Sequence, residues 1–275
     1  MTAIRRVVLC ADDYGLSEAV SRGILELARA GRISATGAMT NCPAWARMAA
    51  PLREVKDRVA IGLHLTLTAG APLGPMPRFA PGGVFPRMGE ILPLALTRRL
   101  PLDEIGAEIA RQLEAFEEAF GQAPAFVDGH QHVHVLPGIR SELLRTLKEA
   151  GYRDLWLRDP SDKVRSILAR RLGAQKALTV SALAFGFAKA ARAAGFDTNE
   201  GFSGFSPFDP AIEPAQVFTS ALQKLGPRPV VMCHPGYVDD ELRSLDAVIE
   251  TRPQELACLA SGDFAAPLAT RPTLA

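Results

Sequence analysis

The sequence is short of cysteine, of long apolar runs, and of any excess of one charge. Its four cysteines (Cys10, Cys42, Cys233, Cys258) form no CxxC pair, so buried thiols in a reducing compartment are expected rather than disulfides. No apolar run approaches the roughly 20 residues that span a bilayer, and no membrane span is expected. The first apolar run, residues 7–11, follows Arg5 and Arg6 and stops at two aspartates. That is unlike a signal peptide, and the cytoplasm is the expected location. Thirty-one Lys and Arg against 30 Asp and Glu leave a net charge of +1, so no global field draws the chain to nucleic acid or anionic lipid. GxGxxG, Walker A and GxSxG patterns are also missing, which removes the usual marks of dinucleotide, P-loop and serine-hydrolase chemistry.

What is present is an ordinary globular mixture, 48% apolar and 22% charged over 275 residues. That length suits one α/β barrel of about 250 residues, so residues 1–275 are expected to form a single domain. Short β-prone runs fall at 6–11, 33–39, 59–67, 125–128, 155–158 and 229–233. Helical spacing fills 20–31, 44–50, 139–150, most of 161–194, 215–225 and 240–260. The clearest helix is 102–120, where Ile105, Ile109, Leu113, Phe116 and Phe120 make one stripe closed by Gly121 and Pro124. Prolines and glycines across 69–93 predict a long ordered loop without regular structure, and 199–208 reads as a Gly- and Phe-rich loop. About seven β-then-α repeats predict a parallel sheet curled into a distorted (β/α) TIM-like barrel.

The five histidines occupy three places: His64, the trio His130, His132 and His134, and His234. His64 lies within the predicted strand 59–67, and the other two places follow predicted strands, as does the pair Asp12-Asp13. In a βα barrel the strand C-termini share one face, so residues far apart in sequence can build one site. Imidazole nitrogens and a carboxylate suit zinc, iron, manganese, nickel or cobalt, and two His with one Asp leave positions open for water and substrate. If the trio is locally extended, its three rings face one side, and three imidazoles crowd a single ion, so some must orient ligands or touch substrate. Of the two adjacent carboxylates, one can hold the ion while the other takes a proton from water; a helix-capping role is the simpler alternative. His234, after a buried strand and before Pro235-Gly236, can act as a general acid. Trp45, Trp156, Phe202 and Phe205 are expected in the core, with the Phe202 loop and the 69–86 loop as candidate walls of a substrate groove.

Four motifs, Ala11-Asp12-Asp13-Tyr14-Gly15, Ile61-Gly62-Leu63-His64-Leu65-Thr66-Leu67-Thr68, Asp128-Gly129-His130-Gln131-His132-Val133-His134 and Met232-Cys233-His234-Pro235-Gly236, resemble in type and order the YdjC-like carbohydrate deacetylases. These include the chito-oligosaccharide deacetylases and hopanoid-associated relatives. The resemblance spans about residues 7–237 and is poor over 161–194 and the tail. It implies a hydrolase that removes an N-acetyl group from an amino sugar, either a chito-oligosaccharide or an N-acetylglucosaminyl glycoconjugate. It also implies one divalent ion, magnesium or zinc, held by Asp13, His64 and His130, with Asp12 as base and His234 as acid. His132, His134 and Arg158 take supporting roles, and Tyr14 stands where many relatives carry Phe. A metal-dependent phosphoesterase and a non-catalytic carbohydrate-binding barrel are the competing readings, and a homodimer is left open.

Overall fold

The computed structural model describes residues 6–261. The strands and helices run β1 (Val8–Tyr14), α1 (Glu18–Arg29), β2 (Ala35–Ala38), α2 (Trp45–Arg53), β3 (Ala60–Leu65), α3 (Met88–Leu96), α4 (Leu102–Phe120) and β4 (Phe126–Gly129). A 3-10 turn, His130–Val135, leads to α5 (Ile139–Glu149), β5 (Trp156–Leu157), α6 (Val164–Arg170), α7 (Ala174–Leu183) and α8 (Phe187–Ala193). The chain then forms β6 (Asp197–Thr198), β7 (Phe202–Ser203), α9 (Pro214–Ala221), β8 (Val230–Cys233), α10 (Asp240–Leu245) and α11 (Thr251–Ser261).

All eight strands lie in one sheet of order β6-β5-β4-β3-β2-β1-β8-β7, and every neighbouring pair is parallel. The sheet curls into a partial barrel whose two ends, β6 and β7, do not pair with each other among the described residues. The sequence names six β-prone runs within about seven expected repeats; the structure adds two strands, Asp197–Thr198 and Phe202–Ser203. A two-residue strand is too short for any period-2 pattern to appear.

Burial on both faces explains why the strands read as continuous apolar runs. Along β1, Val8 and Cys10 face the barrel interior with Phe126, Trp156, Phe202 and Met232, while Leu9 and Ala11 pack outward against the helices with Ile24, Leu27 and Val20. Trp156 stacks on Phe126 with ring centroids 4.6 Å apart, and Trp45 stacks on Phe116 at 5.6 Å; both tryptophans are core residues.

The 69–93 stretch is regular at its end, contrary to the sequence reading: α3 starts at Met88 and runs through Pro93. A proline inside a helix forfeits one backbone bond and usually destabilises it. Here the Glu90 carboxylate accepts the Arg87 N–H at 2.9 Å, and Ile91 and Ala95 are buried, which offsets that loss over two turns. The loop ahead is pinned by side chains of neighbouring elements. Asn41 donates to the Ala69 carbonyl at 2.9 Å, and Glu108 accepts from the Leu73 N–H at 3.0 Å.

Candidate active site

The site begins at the C-terminal end of β1. Period-2 alternation continues the inward set Val8, Cys10 to Asp12. Asp13 would then point outward, but the β1–β2 register shifts between Ala11 and Tyr14 and Asp13 adopts a left-handed φ of 73°. The bulge turns both carboxylates into one cavity. Tyr14 does not join them: it is fully buried, and its hydroxyl donates to the Met48 carbonyl at 2.8 Å, under α2.

His64, on β3, lies opposite Asp128 of β4 in the parallel register. Its Nδ1 is 2.6 Å from Asp128 Oδ1, which leaves Nε2 facing Asp13 Oδ1 at 3.3 Å. Gly37 on β2 makes room for this pair, since a Cβ there would lie 3.1 Å from His64 Nδ1 and 3.2 Å from Asp128 Oδ1.

The histidine trio is not extended. Gln131 and His132 take left-handed φ values of 52° and 62°, so the three rings diverge. His130 Nδ1 sits 3.0 Å from Asp13 Oδ1. His132 packs against Phe202 and Phe205, with centroids 5.7 and 5.5 Å away. His134 donates from Nε2 to the Arg158 carbonyl at 2.7 Å. One ring of the three faces the carboxylate, and the three imidazoles do not crowd a single ion.

Asp13, His64 and His130 together offer three ligand atoms, all buried, within 4.8 Å of one another. Metal–ligand bonds of about 2.1 Å at tetrahedral to octahedral angles put neighbouring donors about 3.0–3.4 Å apart. The observed 3.0 and 3.3 Å separations from Asp13 Oδ1 match that spacing, and all three ligand atoms lie within 4.8 Å of one another. Asp128 supplies the outer carboxylate that fixes the tautomer of a ligating histidine.

Asp12 is held by Arg158, whose guanidinium grips both oxygens at 2.7 and 2.8 Å and pairs with Asp128 at 2.8 Å. Burial pushes the Asp12 carboxyl up, but the charges of Arg158 and His64 and the Arg158 hydrogen bonds together outweigh it and hold the group below the usual carboxylate value. Asp13 is likewise driven well down, with Arg252 and then His130 overcoming burial. His234 lines the same cavity; its backbone N–H donates to Glu255 at 2.6 Å and its ring meets Phe208 edge-on at 5.3 Å.

The cavity these groups share has a volume of about 480 Å³. Its lining mixes the site's carboxylates and imidazoles with Gln131, Lys176, Thr179 and Asp246 and with the aliphatic Met88, Leu92, Val135, Leu136, Val180 and Leu183. The walls are therefore α3, the 3-10 turn and α7. Of the two loops expected as walls, 199–208 contributes Phe208 and 69–86 contributes no lining residue.

Sequence reasoning missed Asp128, Arg252 and Glu255. Asp128 lay in a quoted motif without a role. Arg252 and Glu255 sit on α11, and the available signal was their place on its apolar stripe with Leu256 and Leu259.

The buried titrating groups give the protein a pH optimum of stability in the absence of metal. Burial holds His134 and His234 near 4, so the unfolded chain binds protons they refuse. Their contribution is full above 6.5 and is lost as the pH falls toward 4. His64 has the opposite sign. Burial lowers it, but the Asp128 and Asp12 charges prevail and raise it to about 10, so its contribution is full below 6.5 and is lost as the pH rises to 10. Glu255, pushed by burial to about 7 from 4.5, contributes below 4.5 and loses that contribution as the pH rises to 7. His132, which burial likewise drives well below its ordinary value, makes a third ascending group, and the three outweigh one descending group below 6.5. Stability should change by about 1.4 kcal/mol per net proton per pH unit and peak near 6.5. Urea midpoints of metal-free protein measure this, and a flat profile from roughly pH 5 to 9 contradicts it.

A family described as YdjC-like protein matches residues 6–270. A chitooligosaccharide deacetylase of Citrobacter koseri is 30% identical over 270 residues, covering 97% of this chain and 95% of the relative. One from an Enterobacter species is 40% identical over 134 residues, about half of each chain (48% and 52%). In structure, a putative cellobiose-phosphate cleavage protein from Enterococcus faecalis superposes with a TM-score of 0.70 over 95% of this chain and 92% of that one. At 22% identity it shares the fold. Among the described residues no helix is long and apolar enough to cross a membrane.

Proposed function

Since the chain belongs to the YdjC-like family, we propose that it is a metal-dependent hydrolase that removes the N-acetyl group of an amino sugar in the cytoplasm. The observation that carries this reading is the buried Asp13, His64 and His130 set opening on the cavity that Asp12 and His234 also line. Two imidazoles and one carboxylate favour a borderline ion such as zinc over magnesium, which prefers all-oxygen ligation. When bound, the ion polarises the amide carbonyl and lowers the pKa of a water toward about 7.

The chain's own groups supply the proton traffic. Asp12, ionised by its Arg158 partner, keeps a free lone pair on each oxygen and takes a proton from the attacking water. His234 enters neutral because burial holds it near 4. It is charged during the cycle by the proton Asp12 collects and passes that proton to the departing amine nitrogen. One water thereby gives its hydroxyl to the acetyl carbon and a proton to the amine, and the products are acetate and an amino sugar.

The aliphatic residues among the cavity's lining, Met88, Leu92, Val135, Leu136, Val180 and Leu183, favour an N-acetylglucosaminyl glycoconjugate with an apolar neighbour over a free chito-oligosaccharide. The test is acetate release from N,N′-diacetylchitobiose and from an N-acetylglucosaminyl lipid by metal-stripped protein, before and after zinc is restored. Zinc-dependent release, faster on the lipid, is the expected result. Release that ignores metal removal, or none on either substrate with one ion bound per chain, overturns the reading.

A further inference from the structure

Arg252 lies on α11, remote in sequence from every strand-end motif, yet its guanidinium reaches the centre of the site. It is fully buried. Its Nη2 donates to Asp13 Oδ2 at 2.6 Å and to Asp246 Oδ2 at 2.6 Å, and its Nε donates to the Val248 carbonyl at 2.7 Å. Three acceptors, one on β1 and two in the segment between α10 and α11, hold this side chain in place. Asp246 is fixed in turn, because its Oδ1 accepts the Val248 N–H at 3.1 Å.

The consequence falls on Asp13. Its two oxygens are divided, Oδ1 toward His64 Nε2 and His130 Nδ1, Oδ2 toward Arg252. A carboxylate with both oxygens free can chelate an ion and occupy two coordination positions. Oδ2 keeps a second lone pair, but the guanidinium charge 2.6 Å away repels a divalent ion from that oxygen, so Asp13 offers one position. We propose that Arg252 is a positioning residue that restricts Asp13 to binding the ion through Oδ1 alone, keeping a coordination position open for water and the acetamide oxygen. The proposal rests on the ligand set assigned above and adds a determinant of its coordination number.

Cobalt substitution reads coordination number directly, since fewer ligands give a stronger visible absorption. In Arg252→Gln, Asp13 gains a free oxygen and loses a competing cation. Cobalt binding is expected to be as tight or tighter, the band to weaken, and turnover to drop about 10–100-fold. Arg252→Lys, which keeps a cationic donor, should recover part of both. A merely structural role predicts the reverse pattern, with weaker metal binding and an unchanged band in the cobalt that remains, and that result overturns the proposal. If Arg252→Gln fails to fold, pairing it with Asp246→Asn removes the second stranded carboxylate and allows the same reading. Crystals of the wild-type protein soaked in cobalt need no variant: Asp13 bound through Oδ1 supports the proposal, and Asp13 bound through both oxygens overturns it. Absence of any cobalt band in wild-type protein sinks the ligand set itself, whereas a band that Arg252→Gln leaves untouched sinks the role of Arg252 alone.

Discussion

Asp12→Asn is expected to lower kcat about 10²–10⁴-fold while leaving one metal ion bound per chain, whereas His64→Ala should lose both the ion and the activity. The division follows from geometry. His64 Nε2 is one of three ligand atoms around a common point, and an alanine removes it and leaves Asp128 Oδ1 without its 2.6 Å partner. Asp12 is not in that triad; its oxygens face Arg158. Asparagine keeps the shape and one acceptor but cannot take a proton from water near neutral pH. Its amide NH2 also meets an Arg158 N–H donor, so some loss of stability is expected, and urea unfolding must accompany the kinetics. Metal content by elemental analysis together with kcat decides the matter. Equal metal loss in both variants, or an Asp12→Asn enzyme with near wild-type turnover, removes Asp12 from the role of base.

How far such a site is legible from sequence depends on how local its causes are. β1, β3, β4 and β8 end in motif residues, and the apolar run before each is long enough to announce a buried parallel strand. The α4 stripe was equally plain, since Ile105, Ile109, Leu113, Phe116 and Phe120 are all buried. Barrel geometry then brings the histidines to one face without further information. Two features escaped because they depend on backbone states that residue types barely encode: the left-handed Asp13 within the β1 bulge and the left-handed Gln131-His132 pair that splays the trio. The charges of α11 escaped for another reason. Arg252 and Glu255 occupy an otherwise apolar stripe, and their partners, Asp13 and the His234 N–H, lie 239 and 21 residues away. A buried charge on a helix is informative, but only the assembled fold reveals what it pairs with.

The largest effect on stability is expected from Arg158→Leu. Arg158 has no exposed surface and stands between two buried carboxylates, Asp12 at 2.7 and 2.8 Å and Asp128 at 2.8 Å. The leucine fills part of the space but strands Asp12 in a low-dielectric interior and leaves Asp128 with His64 alone as its partner, and removing one partner of such a buried cluster costs about 3–5 kcal/mol. Part of that cost is relieved by protonation. Without Arg158, burial is left as the largest influence on Asp12, so its carboxyl rises and is held neutral to higher pH. Activity should therefore be low near neutrality and recover partly as the pH is raised, a shift that simple unfolding does not produce. Adding Asp12→Asn removes one stranded charge. That double variant should regain part of the lost stability, read as a urea midpoint at constant slope, yet regain no turnover. A single variant that loses less than about 1 kcal/mol, the range of exposed pairs, contradicts this account and makes Arg158 a spectator to the two carboxylates.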